Sequence, residues 1–242
     1  MMKYRPLAFA LLATPALAVP VYAGDTAELN ILGFSANGGV FAFEEYGIQD
    51  GSGFPYANRF YIDTATDSFM PGTPIRVRLD DESASLDEAR KQARERGGDV
   101  LSEAELLANR GITAGANPVT QISGDPHRMT VNPRPVFPAI DAPLDFRIEE
   151  FTLQGQAVCE PFGQVKGYRL IRLGSVPGQS AELLHEDASI PASRNCPTGY
   201  GIGAVQTFFP QSGEPVFVVL IAVRSVGFEG PDHRWIAVPG RF

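Results

Sequence analysis

The chain has 242 residues, 44% of them hydrophobic and 20% charged, the proportions of an ordinary globular protein, which argue against long disordered tracts and coiled coils. With 28 acidic residues against 20 basic ones the formal charge is −8, and no basic stripe gathers that would neutralise a phosphate backbone or an anionic lipid surface. Nucleic acid and membrane surfaces are therefore poor partners, and 25 glycines with 20 prolines favour many short strands joined by turns.

The first residues read as an export address. Lys3 and Arg5 precede an apolar run over residues 7–19, and Val21-Tyr22-Ala23 places small residues where a signal peptidase reads. The run is broken by Pro15 and Pro20 and falls short of the roughly 18 to 20 residues that a membrane-spanning helix needs. We expect residues 1–23 to be a signal peptide cut after Ala23, with Ala16-Leu17-Ala18 as a second possible site. No cysteine is near either site to carry a lipid anchor. Residues 24–242 are then expected to form a single β-rich domain, periplasmic or secreted. Cys159 and Cys196, an even pair in such a chain, predict a disulfide, the alternative being two buried thiols.

Apolar residues over 29–34, the turn Ser35-Ala36-Asn37-Gly38-Gly39 and a second apolar run over 40–43 predict a hairpin. Residues 47–58 read as a loop, 59–63 as a third strand, and Ile75-Arg76-Val77-Arg78-Leu79 as a strand with one basic face. Ser85 followed by Glu88, and Ser102 followed by Glu105, are capping boxes that predict helices over 86–96 and 103–110. The first has only a narrow apolar stripe and should lie on the surface. Six prolines between residues 112 and 143 predict a loop without regular ladders. Strands return over 146–153, 168–173, 204–209, 216–225 and 235–238. The run Val216-Phe217-Val218-Val219-Leu220-Ile221-Ala222-Val223 lacks alternation, so it should lie at the centre of a sheet, buried on both faces. The expected fold is mainly β: antiparallel meanders in a sandwich or partial propeller-like arrangement, with a two-helix insertion at about 85–111 and a proline-rich loop at about 112–143.

A shift of about 175 residues brings Phe34 onto Phe209, Gly38 onto Gly213, Phe41 onto Val216 and Arg59 onto Arg234. This is either a three-stranded meander used twice or a coincidence between two hairpins. The first copy, Phe34-Ser35-Ala36-Asn37-Gly38-Gly39-Val40-Phe41-Ala42-Phe43 with Tyr61-Ile62-Asp63-Thr64, resembles a blade of the TolB-like β-propeller repeats. It departs from them at Ala36 and Asn37, where Pro and Asp are usual. Over most of its length the chain resembles a family of bacterial exported proteins known only as predicted secreted proteins. Phe41-Ala42-Phe43-Glu44-Glu45-Tyr46-Gly47 and Asp50-Gly51-Ser52-Gly53-Phe54-Pro55-Tyr56 carry that resemblance, which implies a location and no chemistry.

His127, His185 and His233 are scattered, without metal-ligand spacing, and read as loop or surface histidines. No Gly-x-Ser-x-Gly elbow nominates a serine nucleophile. Gly199-Tyr200-Gly201-Ile202-Gly203 follows Pro197 rather than a strand and opens no helix, so it reads as flexible backbone and not as a dinucleotide loop. Glu44, Glu45 and Asp50, with Phe54 and Tyr56 beside them, form the candidate binding surface. These acids would offer hard oxygens to calcium, or two carboxylates for acid–base chemistry; otherwise they are a polar strand end entering a solvated turn. The function expected is a non-catalytic binding or envelope-accessory role towards an envelope protein or a small ligand. The alternative is a calcium-assisted or carboxylate-based secreted hydrolase.

Overall fold

The computed structural model describes residues 24–176 and 178–242; the leader expected over 1–23 lies outside the described residues. In chain order the strands are β1 (Glu28–Phe34), β2 (Val40–Ile48), β3 (Pro55–Asp63), β4 (Ser68–Phe69) and β5 (Ile75–Arg78). Helices α1 (Leu86–Gly97) and α2 (Glu103–Ala108) follow, then β6 (Ile112–Ala116), β7 (Arg128–Val131), β8 (Leu144–Leu153), β9 (Val165–Leu173) and β10 (Glu182–Glu186). The last three strands are β11 (Pro197–Phe208), β12 (Val216–Val226) and β13 (Pro231–Arg241).

These strands form three antiparallel sheets, and their order explains the apolar run of β12. The first sheet is β1-β2-β3-β4 with β5 beside β3, the second is β10-β9-β8-β7, and the third is β13-β12-β11-β6. The third sheet is the middle layer. Val216, Val218 and Leu220 of β12 pack against Phe34, Phe41, Phe43 and Phe60 of the first sheet. Phe217, Val219, Ile221 and Val223 pack against Phe146, Ile148, Tyr168 and Leu170 of the second. Because strand side chains alternate between faces, a strand covered on both sides has no position left for a polar residue. Each such side chain removed from water contributes about 1.5–3 kcal/mol. The two segments related by the 175-residue shift are both three-stranded meanders, β1-β2-β3 and β11-β12-β13, and they pack face to face.

The helices cover the outer face of the first sheet. Ala89 and Ala93 of α1 sit on Ala57 and Val77, and Leu106 of α2 on Leu32, Ala42 and Tyr61, so the narrow stripe is enough. Both cap serines accept the expected bond, from Glu88 N at 3.1 Å and from Glu105 N at 3.2 Å. The return half of the second box is diverted: the Glu105 carboxylate accepts the Ala36 N–H at 2.9 Å, tying α2 to the first hairpin. In that hairpin Gly38 holds φ 74°, the left-handed backbone that its turn requires.

Three expectations are corrected, and one strand went unforeseen. The loop expected over 47–58 is confined to 49–54, because β2 and β3 pair as far as Ile48↔Pro55. The proline-rich stretch contains β6 and β7, both of which fall in its proline-free parts. The glycine run 199–203 is part of β11: at Gly203 a Cβ would lie 2.2 Å from Trp235 Cζ3, so the glycine makes room for the indole. The strand β10, rich in charge, went unforeseen.

Candidate functional site

The central sheet ends at β13, and the two outer sheets overhang that edge. Between them lies a cleft of about 570 Å³. Trp235, Ile236, Ala237 and Val238 of β13 form its floor, Phe43, Phe60 and Ile62 one wall, and Tyr168, His185 and the 191–195 segment the other. The second wall is fixed from behind by Cys159 and Cys196, whose sulfurs lie at bonding distance, 2.05 Å. Both cysteines pack with Val165 and Ile190.

Glu45 stands in this cleft because of strand parity. On β2 the residues Phe41, Phe43 and Glu45 face the central sheet, and Glu44 faces the helices. Glu45 is only 2% exposed; its carboxylate accepts the Trp235 main-chain N–H at 2.9 Å and the Asn58 side-chain amide at 3.0 Å. Burial pushes its pKa up, against these two bonds and the nearby Arg234 and Arg76 guanidinium groups. Arg234 is held by Asp25, at 2.6 Å from Nη2 to Oδ2, and the Tyr56 hydroxyl donates to the other Asp25 oxygen at 2.9 Å.

On the opposite wall Arg194 donates to both oxygens of Asp187, at 2.8 and 2.7 Å, and His185 lies 3.0 Å from the same carboxylate. Burial alone would raise Asp187, but these bonds outweigh it and hold the carboxyl below its usual range. His185 also stacks on Tyr168, with ring centroids 4.8 Å apart. It is thus a strand residue on the cleft wall rather than a loop histidine. At the rim, Asp67 ends the β3–β4 turn with φ 49°. The residue is open to solvent, yet the protein around its carboxyl desolvates it enough to push its pKa up to about 6, against the pull of His185.

The sequence-nominated residues are therefore divided. Glu45 lines the cleft, and Tyr56 stands behind it through Asp25 and Arg234. Glu44 points the other way, 1% exposed beneath α1, with Arg90 at 2.9 Å and Arg59 at 3.6 Å. Both glutamates are buried within a strand, which corrects the reading of a strand end in a solvated turn. Asp50 accepts the Glu229 N–H at 2.8 Å, and Phe54 lies under the Arg78 guanidinium at 6.0 Å, both away from the cleft. Among the described residues no three His, Cys, Asp or Glu side chains come together as a metal site.

Trp235, His185, Asp187, Arg194 and Asp67 escaped sequence reasoning, because β13, the 185–195 segment and the β3–β4 turn meet only in the fold. One signal was present: Glu45 follows Phe41 and Phe43 in the inward half of an alternation, where a carboxylate needs a reason to be.

A family model described as "Predicted secreted protein (DUF2259)" matches residues 42–241, which include β13 and every residue lining the cleft. No curated protein and no solved structure matches.

Proposed function

Since the chain belongs to this family of predicted secreted proteins, we propose that it is exported, cut after Ala23, and serves in the periplasm or the medium as a non-catalytic binding protein whose ligand occupies the cleft over β13. The observation that carries this reading is the cleft itself. Its 570 Å³ falls within the roughly 300–1,000 Å³ of ligand sites, and its apolar walls converge on a few fixed polar groups, as such sites do.

A binding role is favoured over a hydrolase by the state of the charged groups. Glu45 is engaged by Trp235 and Asn58, Arg194 by Asp187, and Arg234 by Asp25. None of these three stands ready as an unengaged base or nucleophile, which leaves Asp67 at the rim as the one acid of the cleft without a hydrogen bond among the described residues. A mechanism using Glu44 and Glu45 as its two carboxylates would need both on one side of the sheet, and strand alternation puts them on opposite sides.

Melting points of the protein with panels of short peptides and small organic acids test the proposal, since a ligand of the native state raises the midpoint. Ser68→Trp and Ser193→Trp, each filling the cleft from its exposed rim, should abolish the shift while leaving the unliganded midpoint within a few degrees. Ligands recovered chemically altered, or shifts indifferent to both tryptophans, would overturn it.

A further inference from the structure

We propose that the occupant of the cleft is an extended peptide that adds one strand to the unpaired edge of β13 between Trp235 and Pro239, an inference resting on the reading of the cleft as a binding site. The pairing of β12 with β13 runs without a bulge from Val216↔Arg241 to Val226↔Pro231. In such a ladder alternate residues aim N–H and C=O at the partner strand and the others aim them away. The Trp235 N–H goes to Glu45 and the His233 N–H to the Asp25 carbonyl, so the odd-numbered residues of β13 face outwards.

Both ends of this outward row are already satisfied. At one end the His233 carbonyl accepts Ala27 N–H at 3.1 Å, through the chain's own Asp25–Ala27 segment lying parallel to the strand. At the other, the Arg241 carbonyl accepts Arg172 Nη1 at 2.6 Å. Between them the Trp235 carbonyl, the Ala237 N–H and carbonyl, and the Pro239 carbonyl have no hydrogen-bond partner among the described residues. From the Trp235 carbonyl to the Pro239 carbonyl this gap spans about 13 Å at the repeat of a strand. Alternating acceptors and a donor at that repeat are what an extended main chain matches, and the edge already takes one such segment at His233.

The walls choose the occupant further. Trp235 and Ala237 pack towards the first sheet, Ile236 and Val238 towards the second. Side chains of an added strand therefore alternate between Phe43, Phe60 and Ile62 on one side and Tyr168 and Pro191 on the other. The aromatic and apolar groups make up most of this lining, with His185, Ser193 and Arg194 among the polar groups of the second wall, so the fitting peptide carries a run of about four mostly apolar, β-branched or aromatic residues without strict alternation. A second copy's sheet is kept out by the overhanging walls, and Pro239 withholds one donor from edge-to-edge pairing.

The test pans a phage-displayed library of random decapeptides on the oxidised protein and titrates the strongest synthesised peptide by calorimetry. N-methylation of the peptide amides in one alternating register should lower affinity by about tenfold or more, and in the other register much less, the weight of one or two hydrogen bonds. Ala237→Pro should cause a similar loss with an unchanged melting point, since it removes an outward N–H and no ladder bond, as Pro239 already does on the same edge. Should that variant melt early, the N-methyl scan on the unaltered protein decides. Peptides blocked by Ser193→Trp but indifferent to both changes would overturn strand addition and leave the cleft a binding site. If no selected peptide is blocked by Ser193→Trp, peptide binding fails, and the melting-point screen with small acids then decides the broader reading by itself.

Discussion

The Glu45 carboxylate accepts the main-chain N–H of Trp235 at 2.9 Å, so a side chain stands where a neighbouring strand would otherwise pair. Glu45→Ala should lower stability by about 1–3 kcal/mol in urea unfolding, because the buried donor is left without a partner. Glu45→Gln should be milder. Because burial raises the carboxyl above its ordinary 4.5, folding takes up a proton there. The contribution is full below that value and is lost as pH rises through the raised one. Stability curves of the Gln variant against pH should lack this decline.

Asp187→Ala leaves the half-buried Arg194 without its anion, and since truncating one partner of a fully buried pair costs about 3–5 kcal/mol, the loss should lie at or below the lower end of that range. The folded-state pKa of Asp187 is depressed, so its contribution is present above the ordinary 3.8 and fades as pH falls through the lower value. Acid unfolding followed by circular dichroism should show this variant losing less stability than the native protein on the way down, having less to lose.

The bond between Cys159 and Cys196 closes a 37-residue separation, worth about 3–4 kcal/mol in the chain-entropy model. The double Ser variant should unfold earlier by that amount. Since the 191–195 segment is a cleft wall, any ligand that stabilises the oxidised protein should bind the variant more weakly, as titration will report.

Gly203→Ala puts a Cβ within 2.2 Å of the Trp235 ring. Overpacking of this kind costs about 1–3 kcal/mol. Trp235 is the only tryptophan and lies on the cleft floor, so its emission maximum should shift in the folded variant.

Asp67 should titrate at about pH 6, read from its carboxyl carbon by NMR, and replacing His185 with Gln should move that midpoint upwards by removing the opposing charge.

Much of this architecture was legible residue by residue. The unbroken apolar run of β12 announced a strand covered on both faces, and Ser85 and Ser102 marked both helix starts, because caps and double burial act through near neighbours. The glycine run in β11 misled for the converse reason: its glycines accommodate Trp235, Arg224 and Pro126, partners distant in the chain. Glu44 and Glu45 drew attention as a pair, whereas pleating made them strangers, one under α1 and one over β13. The cleft joins residues 43 to 238, and no local pattern carries such a conjunction.

Each of the two large apolar clusters needs side chains from β11, β12 or β13, that is, from residues 197–241. A chain that has emerged only as far as β10 therefore lacks the keystone of both interfaces. Deleting residues from this stretch is therefore far more damaging than the length removed suggests, because each of its strands serves both interfaces.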